Sequence, residues 1–443
     1  MTTKQDVNKP YELAVKYAAY YGGKVEVAPR VPVTSLKDFG VWYTPGVAQV
    51  SREIFKNKGL SFEYTNRWNT IAILTNGTRV LGLGDIGPEA SAPVMEGKAL
   101  IFKYLGGVDA FALPISALDK ERFVEVAKVL EPAFGGINLE DIRQPDCFYI
   151  LERCRKEMNI PVWHDDQQGT AAATVAGLIN SVKVVGRKLS DVHVVFFGAG
   201  AANLSNARLA ISAGVDAKKI ILVDRKGILQ PEREDIGKMA SENPWKYEIT
   251  LKTNGEKRKG GLPEALKGAN VLIAAATPGP NVVKAEWIRE MEKGSIVFAM
   301  ANPVPEIWPW EAKDAGAKIV ATGRSDFPNQ VNNSLVFPSV FRGVLDIRAK
   351  TITDEMAVAA SMELAKFAEE GGLSEEHIVP KMTEWEVYPR VATAVASKAM
   401  EQGITRKKLS REELMHTSTS MISHARNQIE ALMKSGVIPP FPN

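Results

Sequence analysis

The chain has 443 residues, 45% of them hydrophobic and 24% charged, with a formal net charge of +3. This is the composition of an ordinary folded protein, and it offers no bulk electrostatic reason to bind nucleic acid or an anionic membrane. Two cysteines, Cys147 and Cys154, exclude a disulfide framework and lack zinc-ligand spacing.

Residues 1–9 lack an apolar signal core, and no apolar run approaches the ~20 residues that cross a bilayer. The expected setting is cytoplasmic, with no membrane and no nucleic-acid partner. The length predicts roughly two to three domains.

In chain order, residues 11–21 read as a helix closed by Gly22-Gly23, and 25–33 as an extended stretch interrupted by Pro29 and Pro32. The turn Tyr43-Thr44-Pro45-Gly46-Val47 leads into another helix. Residues 70–74 and 79–83 are short apolar runs split by Asn76-Gly77, a hairpin signal. A loop over 82–93 precedes a helix over 94–104. A strand at 109–115, a helix at 120–130 and a strand running into a turn at 136–141 follow. The cluster Lys257-Arg258-Lys259 reads as a solvated turn between short strands.

The second half alternates more regularly. Strands are expected at 192–197, 220–223, 271–275, 296–299 and 318–321, mostly with helices between them. That order predicts a parallel, doubly wound sheet. A small-residue helix over 170–185 joins the halves. Amphipathic helices are expected at 356–368 and 419–433, with an extended tail over 439–442.

Two carboxylate pairs stand out: Glu140-Asp141, and Asp165-Asp166 within Trp163-His164-Asp165-Asp166-Gln167-Gln168-Gly169-Thr170. Adjacent carboxylates repel when ionised, and a shared divalent cation turns that repulsion into attraction. Taken alone, each pair also fits a helix N-cap that complements the helix dipole. Taken alone, Lys98 reads as a solvated charge, Tyr43 as a turn-packing ring, and His164 as a packed side chain.

The run Val194-Val195-Phe196-Phe197-Gly198-Ala199-Gly200-Ala201-Ala202-Asn203 is a strand followed by a glycine turn and a helix. Gly198 permits the tight turn, and Gly200 lets a pyrophosphate approach the helix N-terminus near Ala201 and Ala202. Asn203 occupies the position usually held by Gly or Ala. Asp224 ends the next strand, where an acid holds the ribose hydroxyls of NAD. Arg225 and Lys226 follow it and equally suit the 2′-phosphate of NADP.

Several segments, in this order, resemble the malic enzyme family in its short prokaryotic form. They are Tyr43-Thr44-Pro45-Gly46-Val47, Val80-Leu81-Gly82-Leu83-Gly84-Asp85-Ile86-Gly87, Pro93-Val94-Met95-Glu96-Gly97-Lys98, Asn138-Leu139-Glu140-Asp141-Ile142, Asp165-Asp166-Gln167-Gln168-Gly169-Thr170, Ala301-Asn302-Pro303 and Gln330-Val331-Asn332-Asn333. The resemblance runs from about residue 43 to about residue 346.

The resemblance implies oxidative decarboxylation of L-malate to pyruvate and CO2, with NAD or NADP and Mg2+ or Mn2+. It implies Tyr43 as general acid and Lys98 as general base, with Asp165 beside the lysine. It implies Glu140, Asp141 and Asp166 as metal ligands. Asn302 matches an asparagine near substrate and nicotinamide, as does Asn332 with its neighbour Asn333. Arg79 matches a malate-contacting arginine of larger members.

The implied fold is a Rossmann-type, doubly wound NAD(P)-binding domain over 161–390, an α/β substrate domain over 1–160 and a helical extension over 391–443. A homodimer or higher homo-oligomer is expected. Gln168, Asn203 and Ala90-Ser91-Ala92 depart from the family pattern. No phosphotransacetylase-like extension is expected before the chain ends at Asn443.

The chemistry suits these residue types. Free lysine, with a pKa of ~10.4, is too protonated to act as a base, and burial beside a cation is expected to lower it. Three carboxylates leave room on an octahedral ion for substrate oxygens, and they favour Mg2+ or Mn2+ over zinc. The competing readings are a metal-dependent oxaloacetate decarboxylase with a vestigial nucleotide fold, a non-catalytic dinucleotide sensor, and an amino-acid or methylene-folate dehydrogenase.

Overall fold

The computed structural model describes residues 4–117 and 119–442. Thr70–Thr75 (β1) is buried at all six positions, as a strand in the middle of a sheet must be. Its parallel neighbours are Asp109–Pro114 (β2) on one side and Gly136–Leu139 (β3) on the other. Val162–His164 (β4) pairs with β3, giving the order β2-β1-β3-β4.

The hairpin expected at Asn76-Gly77 does not form. Both edges of β1 are already taken, so the chain cannot return beside it. Gly77 turns it away at φ +66°, where an added Cβ would sit 2.1 Å from the Gly87 carbonyl oxygen. Residues 79–83 form a tight loop in which Leu83 N–H donates to the Val80 carbonyl.

The next helix is Gly87–Gly106, which starts well before residue 94 because Pro88 suits its first turn and Pro93 is accommodated early. Its buried stripe includes Met95, Lys98, Ala99 and Phe102, spaced i, i+3, i+4 and i+7. Lys98 therefore lies on the core side, not the solvent side.

The second sheet contains Val194–Phe197 (β5), Ile220–Asp224 (β6), Gly227–Ile228 (β7), Val271–Ala274 (β8), Ile296–Ala299 (β9) and Ile319–Thr322 (β10). Its order is β10-β9-β8-β5-β6-β7, all parallel except the β6–β7 pair. The five expected strands are present, and β7 is an addition. The order reverses between β5 and β8, which opens a crevice at their carboxyl ends.

Alternate residues of β5 face two different cores. Val194 and Phe196 join the larger core shared with the first sheet, and Val195 joins a smaller one on the opposite face. Helix Thr170–Val184, buried from Ala171 to Val182, lies within the larger core.

Helices Phe337–Asp346, Asp354–Glu370, Val387–Glu401 and Arg411–Lys434 complete that core, the first and third being unforeseen from the sequence. A buried Arg342–Asp346 pair (2.7 Å) ties them to Asn69, whose Oδ1 accepts from Arg342 at 2.6 Å. The Lys257-Arg258-Lys259 turn lies between helices Pro244–Lys252 and Leu262–Leu266, not between strands as expected. Cys147 and Cys154 are buried and free. Among the described residues, no helix is long and apolar enough to cross a membrane.

Candidate active site

The first sheet and the buried helix bring five predicted site residues together. Glu140 and Asp141 follow β3 directly, and Asp165 and Asp166 follow β4. Asp165–Gly169 forms one wide π-type turn before helix Thr170–Val184, a feature frequent at functional sites.

Lys98 reaches this corner from its own helix. Its ammonium donates to Asp165 Oδ2 and lies 2.7 Å from Glu140 Oε1 and 4.5 Å from the centre of the Phe337 ring. Trp163 Nε1 donates to the other Asp165 oxygen at 3.0 Å, and Asn138 Nδ2 to Glu140 Oε2 at 2.8 Å. Asp166 Oδ2 accepts the Asp141 N–H at 2.8 Å.

The electrostatics of this cluster are unbalanced. Burial raises the pKa values of Glu140, Asp141 and Asp166, and mutual repulsion adds to the rise for Glu140 and Asp141. Asp141 is pushed up to about 8. Burial pushes the Lys98 pKa down, but Asp165, Glu140 and Asp166 outweigh it and raise it instead. The expected lowering is therefore not a property of the protein alone, because nearby carboxylates favour the ammonium.

Glu140, Asp141 and Asp166 each offer an oxygen, and the three lie within 4.8 Å of one another. Asp141 Oδ2 is buried without a hydrogen-bond partner. A hard divalent cation fits this all-oxygen donor set and would relieve both the repulsion and the orphaned oxygen. His164 is fully buried beside it, with its pKa pushed down to about 3 by burial, so it stays neutral. Gln168 Oε1 accepts the His164 N–H at 3.1 Å.

The glycine turn faces the crevice of the second sheet. An added Cβ on Gly198, at φ +94°, would meet the Ala275 carbonyl at 2.5 Å, whereas Gly200 borders open space. Helix Ala201–Ser212 starts at Gly200 without a side-chain cap, so its first N–H groups suit a pyrophosphate. Asn203 fits between helix and sheet by donating to the Phe197 (2.8 Å) and Ile273 (3.3 Å) carbonyls. Asp224 lies on the neighbouring strand end, and Arg225 is exposed.

The remaining predicted residues are dispersed. Arg79 is near enough to Asp166 to act on its charge, and its N–H donates to the Asp141 carbonyl at 3.0 Å. Asn302 follows β9, with its carbonyl oxygen 2.6 Å from where a Gly82 Cβ would stand. Asn332 donates to the Gly323 carbonyl (3.1 Å) and accepts from Ser334 N–H (2.9 Å), so both ends of its amide are engaged. Asn333 packs near Gly169. Tyr43 is 69% exposed at the end of the short helix Phe39–Trp42 and is not among the groups gathered around Lys98.

Three residues that position the cluster were not singled out for a role from the sequence. Asn138 and Trp163 each stand two positions before the carboxylate they hold, a spacing visible in the sequence. Phe337 comes from a distant helix and leaves no local signal.

Gly169 is required by the turn. An added Cβ would lie 1.9 Å from Asp165 Oδ1 and 3.2 Å from Asn333 Cβ. Asp165 is fully buried and held from both sides, so it cannot swing clear. Gly169→Ala is expected to cost roughly 1–3 kcal/mol in thermal or denaturant unfolding. Its kcat should fall by about tenfold or more as Asp165 is driven off Trp163.

Together, the fold and site define a two-sheet α/β enzyme that pairs a dinucleotide turn with a cation-ready carboxylate cluster. Comparison with known proteins shows which family this is. The family described as "Malic enzyme, NAD binding domain" matches residues 167–400, and "Malic enzyme, N-terminal domain" matches residues 22–122. The chain belongs to the malic enzyme family.

It is 45% identical over 392 residues to the bifunctional malic/malolactic enzyme of Bacillus subtilis, covering 88% of this chain and 93% of that protein. It is 44% identical to the NAD-dependent malic enzyme of Geobacillus stearothermophilus, covering 88% and 80%. An NADP-dependent malic enzyme of Escherichia coli matches at 40%, covering 86% of this chain and 51% of that protein. The crystal structure of Entamoeba histolytica malic enzyme superposes with a TM-score of 0.96 at 44% identity, covering 100% of this chain and 93% of that one.

Proposed function

We propose that this protein oxidises L-malate at its C2 hydroxyl, transfers the hydride to NAD or NADP, and releases the C4 carboxylate as CO2 to leave pyruvate. The observation that carries this reading is the buried Lys98 amine set against Asp165 and beside the Glu140, Asp141 and Asp166 oxygens.

A divalent cation, Mg2+ or Mn2+, held by Glu140, Asp141 and Asp166 would polarise the malate hydroxyl and carboxylate and offset the charge that favours protonated Lys98. A nicotinamide dinucleotide on the Gly198–Asn203 turn would accept the hydride. Lys98 then takes the C2 hydroxyl proton at Nζ. Asp165, held by Trp163, orients that amine. Arg79 binds a substrate carboxylate, and Asn302, Asn332 and Asn333 border substrate and nicotinamide. Buried walls around Phe337 and Trp163 exclude water from the reacting amine.

Tyr43 donates its hydroxyl proton to C3 of the enol. Its exposure is part of this reading, because it lies within a segment of unpartnered apolar side chains. Val27, Leu36 and Phe55 there are 80%, 84% and 87% exposed. Exposed apolar patches of this kind mark interaction surfaces. A second copy of the chain is the occupant that also completes the site, so we take the working form to be a homodimer with Tyr43 supplied across the interface. Residues 1–160, 161–390 and 391–443 serve as substrate, dinucleotide and helical parts, and the enzyme is placed in the cytoplasm.

The direct test follows reduced-nicotinamide absorbance with L-malate, Mn2+ and either dinucleotide, with and without a chelator. Chelator-sensitive growth with equimolar pyruvate is the expected result. No signal with either dinucleotide, alongside pyruvate formed from oxaloacetate, would overturn the oxidative reading.

A further inference from the structure

In this fold the end of the strand after the glycine turn meets the adenosine ribose. Phe197 of β5 is in register with Val223 of β6, and Gly198 N–H donates to the Val223 carbonyl at 2.9 Å. Asp224 therefore stands beside the turn. An acid there selects NAD when its carboxylate is free to accept the ribose 2′-hydroxyl.

The Asp224 carboxylate is already engaged. Oδ1 accepts from Arg233 Nη1 at 3.0 Å and from Lys226 N–H at 2.8 Å, and Oδ2 accepts from the Lys246 ammonium. The side chains of Arg233, Lys246 and Asp224 are only 9%, 17% and 13% exposed, so water screens these pairs weakly. Both oxygens therefore already accept from a cation, and a ribose hydroxyl would have to share Asp224 with two full positive charges that it cannot replace.

The surrounding charge points the same way. Asp235 takes the other face of the Arg233 guanidinium and the Lys226 ammonium, while Glu232 pairs with Lys257 at 3.5 Å. Arg225 is exposed immediately after Asp224. Lys246 sits in the first turn of helix Pro244–Lys252, and its N–H is held by Asn243 Oδ1 at 3.1 Å. An ammonium carries three donors, so Lys246 retains donors beyond the one given to Asp224.

Resting on the malic enzyme reading of the turn, we propose that this enzyme prefers NADP and that Lys246, anchored with Arg233 on Asp224, receives the 2′-phosphate. Asp224 is then a strut for two cations, not a ribose ligand. Matches named NAD-dependent and NADP-dependent occur at similar identity, so membership of the family does not decide the point.

The test is calorimetric titration of the full chain with adenosine 2′,5′-bisphosphate and with adenosine 5′-monophosphate, repeated with NADPH and NADH by fluorescence. The 2′-phosphorylated member of each pair should bind about tenfold tighter or better. Lys246→Met should lose that advantage while NADH affinity holds or improves, and Lys246→Arg should restore most of it. A purely structural role for Lys246 would weaken both dinucleotides alike and overturn the assignment. Tighter binding of NADH than NADPH by the unaltered protein would overturn the preference and leave the malic enzyme reading standing. Failure to bind either dinucleotide would sink that reading and this proposal together.

Discussion

Lys98→Ala is expected to lower kcat by ~10²–10⁴, the range for removing a positioned general base. The variant also removes the ammonium that sits between Asp165 and Glu140, both of them buried. Breaking a buried pair by deleting one partner costs about 3–5 kcal/mol, so stability will fall as well. Lys98→Arg separates the two effects. It keeps the cation, and so most of the stability, but a guanidinium does not surrender a proton near neutral pH. Steady-state kinetics together with thermal unfolding therefore decide the role. Both variants inactive, with only the alanine protein destabilised, supports proton transfer by Lys98. Substantial turnover by the arginine protein would reduce Lys98 to a charge that positions Asp165 and Glu140.

The fold and the candidate site differed in how legible they were from sequence. The regular strand–helix alternation after Val194 foretold the second sheet because each parallel strand is a short apolar run bounded by a turn. The same cue misled at Asn76-Gly77. An apolar run, a turn and a second apolar run look alike whether the first strand pairs with the second or with strands far along the chain.

Lys98 could have been placed on the core side from Met95, Ala99 and Phe102 alone, since all four share one helical stripe. What it touches there could not, because Phe337 arrives from a helix more than two hundred residues later. Asp224 was legible as a strand-end acid beside the glycine turn but not as the partner of two cations. Arg233 and Lys246, which occupy its oxygens, come from a loop and a helix that carry no periodic signal toward it.

Tyr43 and Lys98 lesions are expected to complement each other in mixed dimers. If Tyr43 serves the partner's Lys98 site, Tyr43→Phe and Lys98→Ala homodimers are each nearly inactive. A hybrid dimer places both lesions in one site and leaves the other intact. Random pairing of equal amounts makes about half the dimers hybrid, so about one quarter of all sites recover. Co-expression with two affinity tags, purification of the hybrid and measurement of kcat per dimer read this directly, with about half the unaltered value expected for the pure hybrid. Tyrosine acting within its own chain predicts the opposite outcome, because every site in the hybrid then carries one lesion and no activity returns. The exposed residues around Tyr43 supply a second readout. Replacing Leu36 and Phe55 by charged residues should weaken the dimer in sedimentation, and turnover should fall as the dimer does, since a monomer would keep the Lys98 cluster but lack its proton donor.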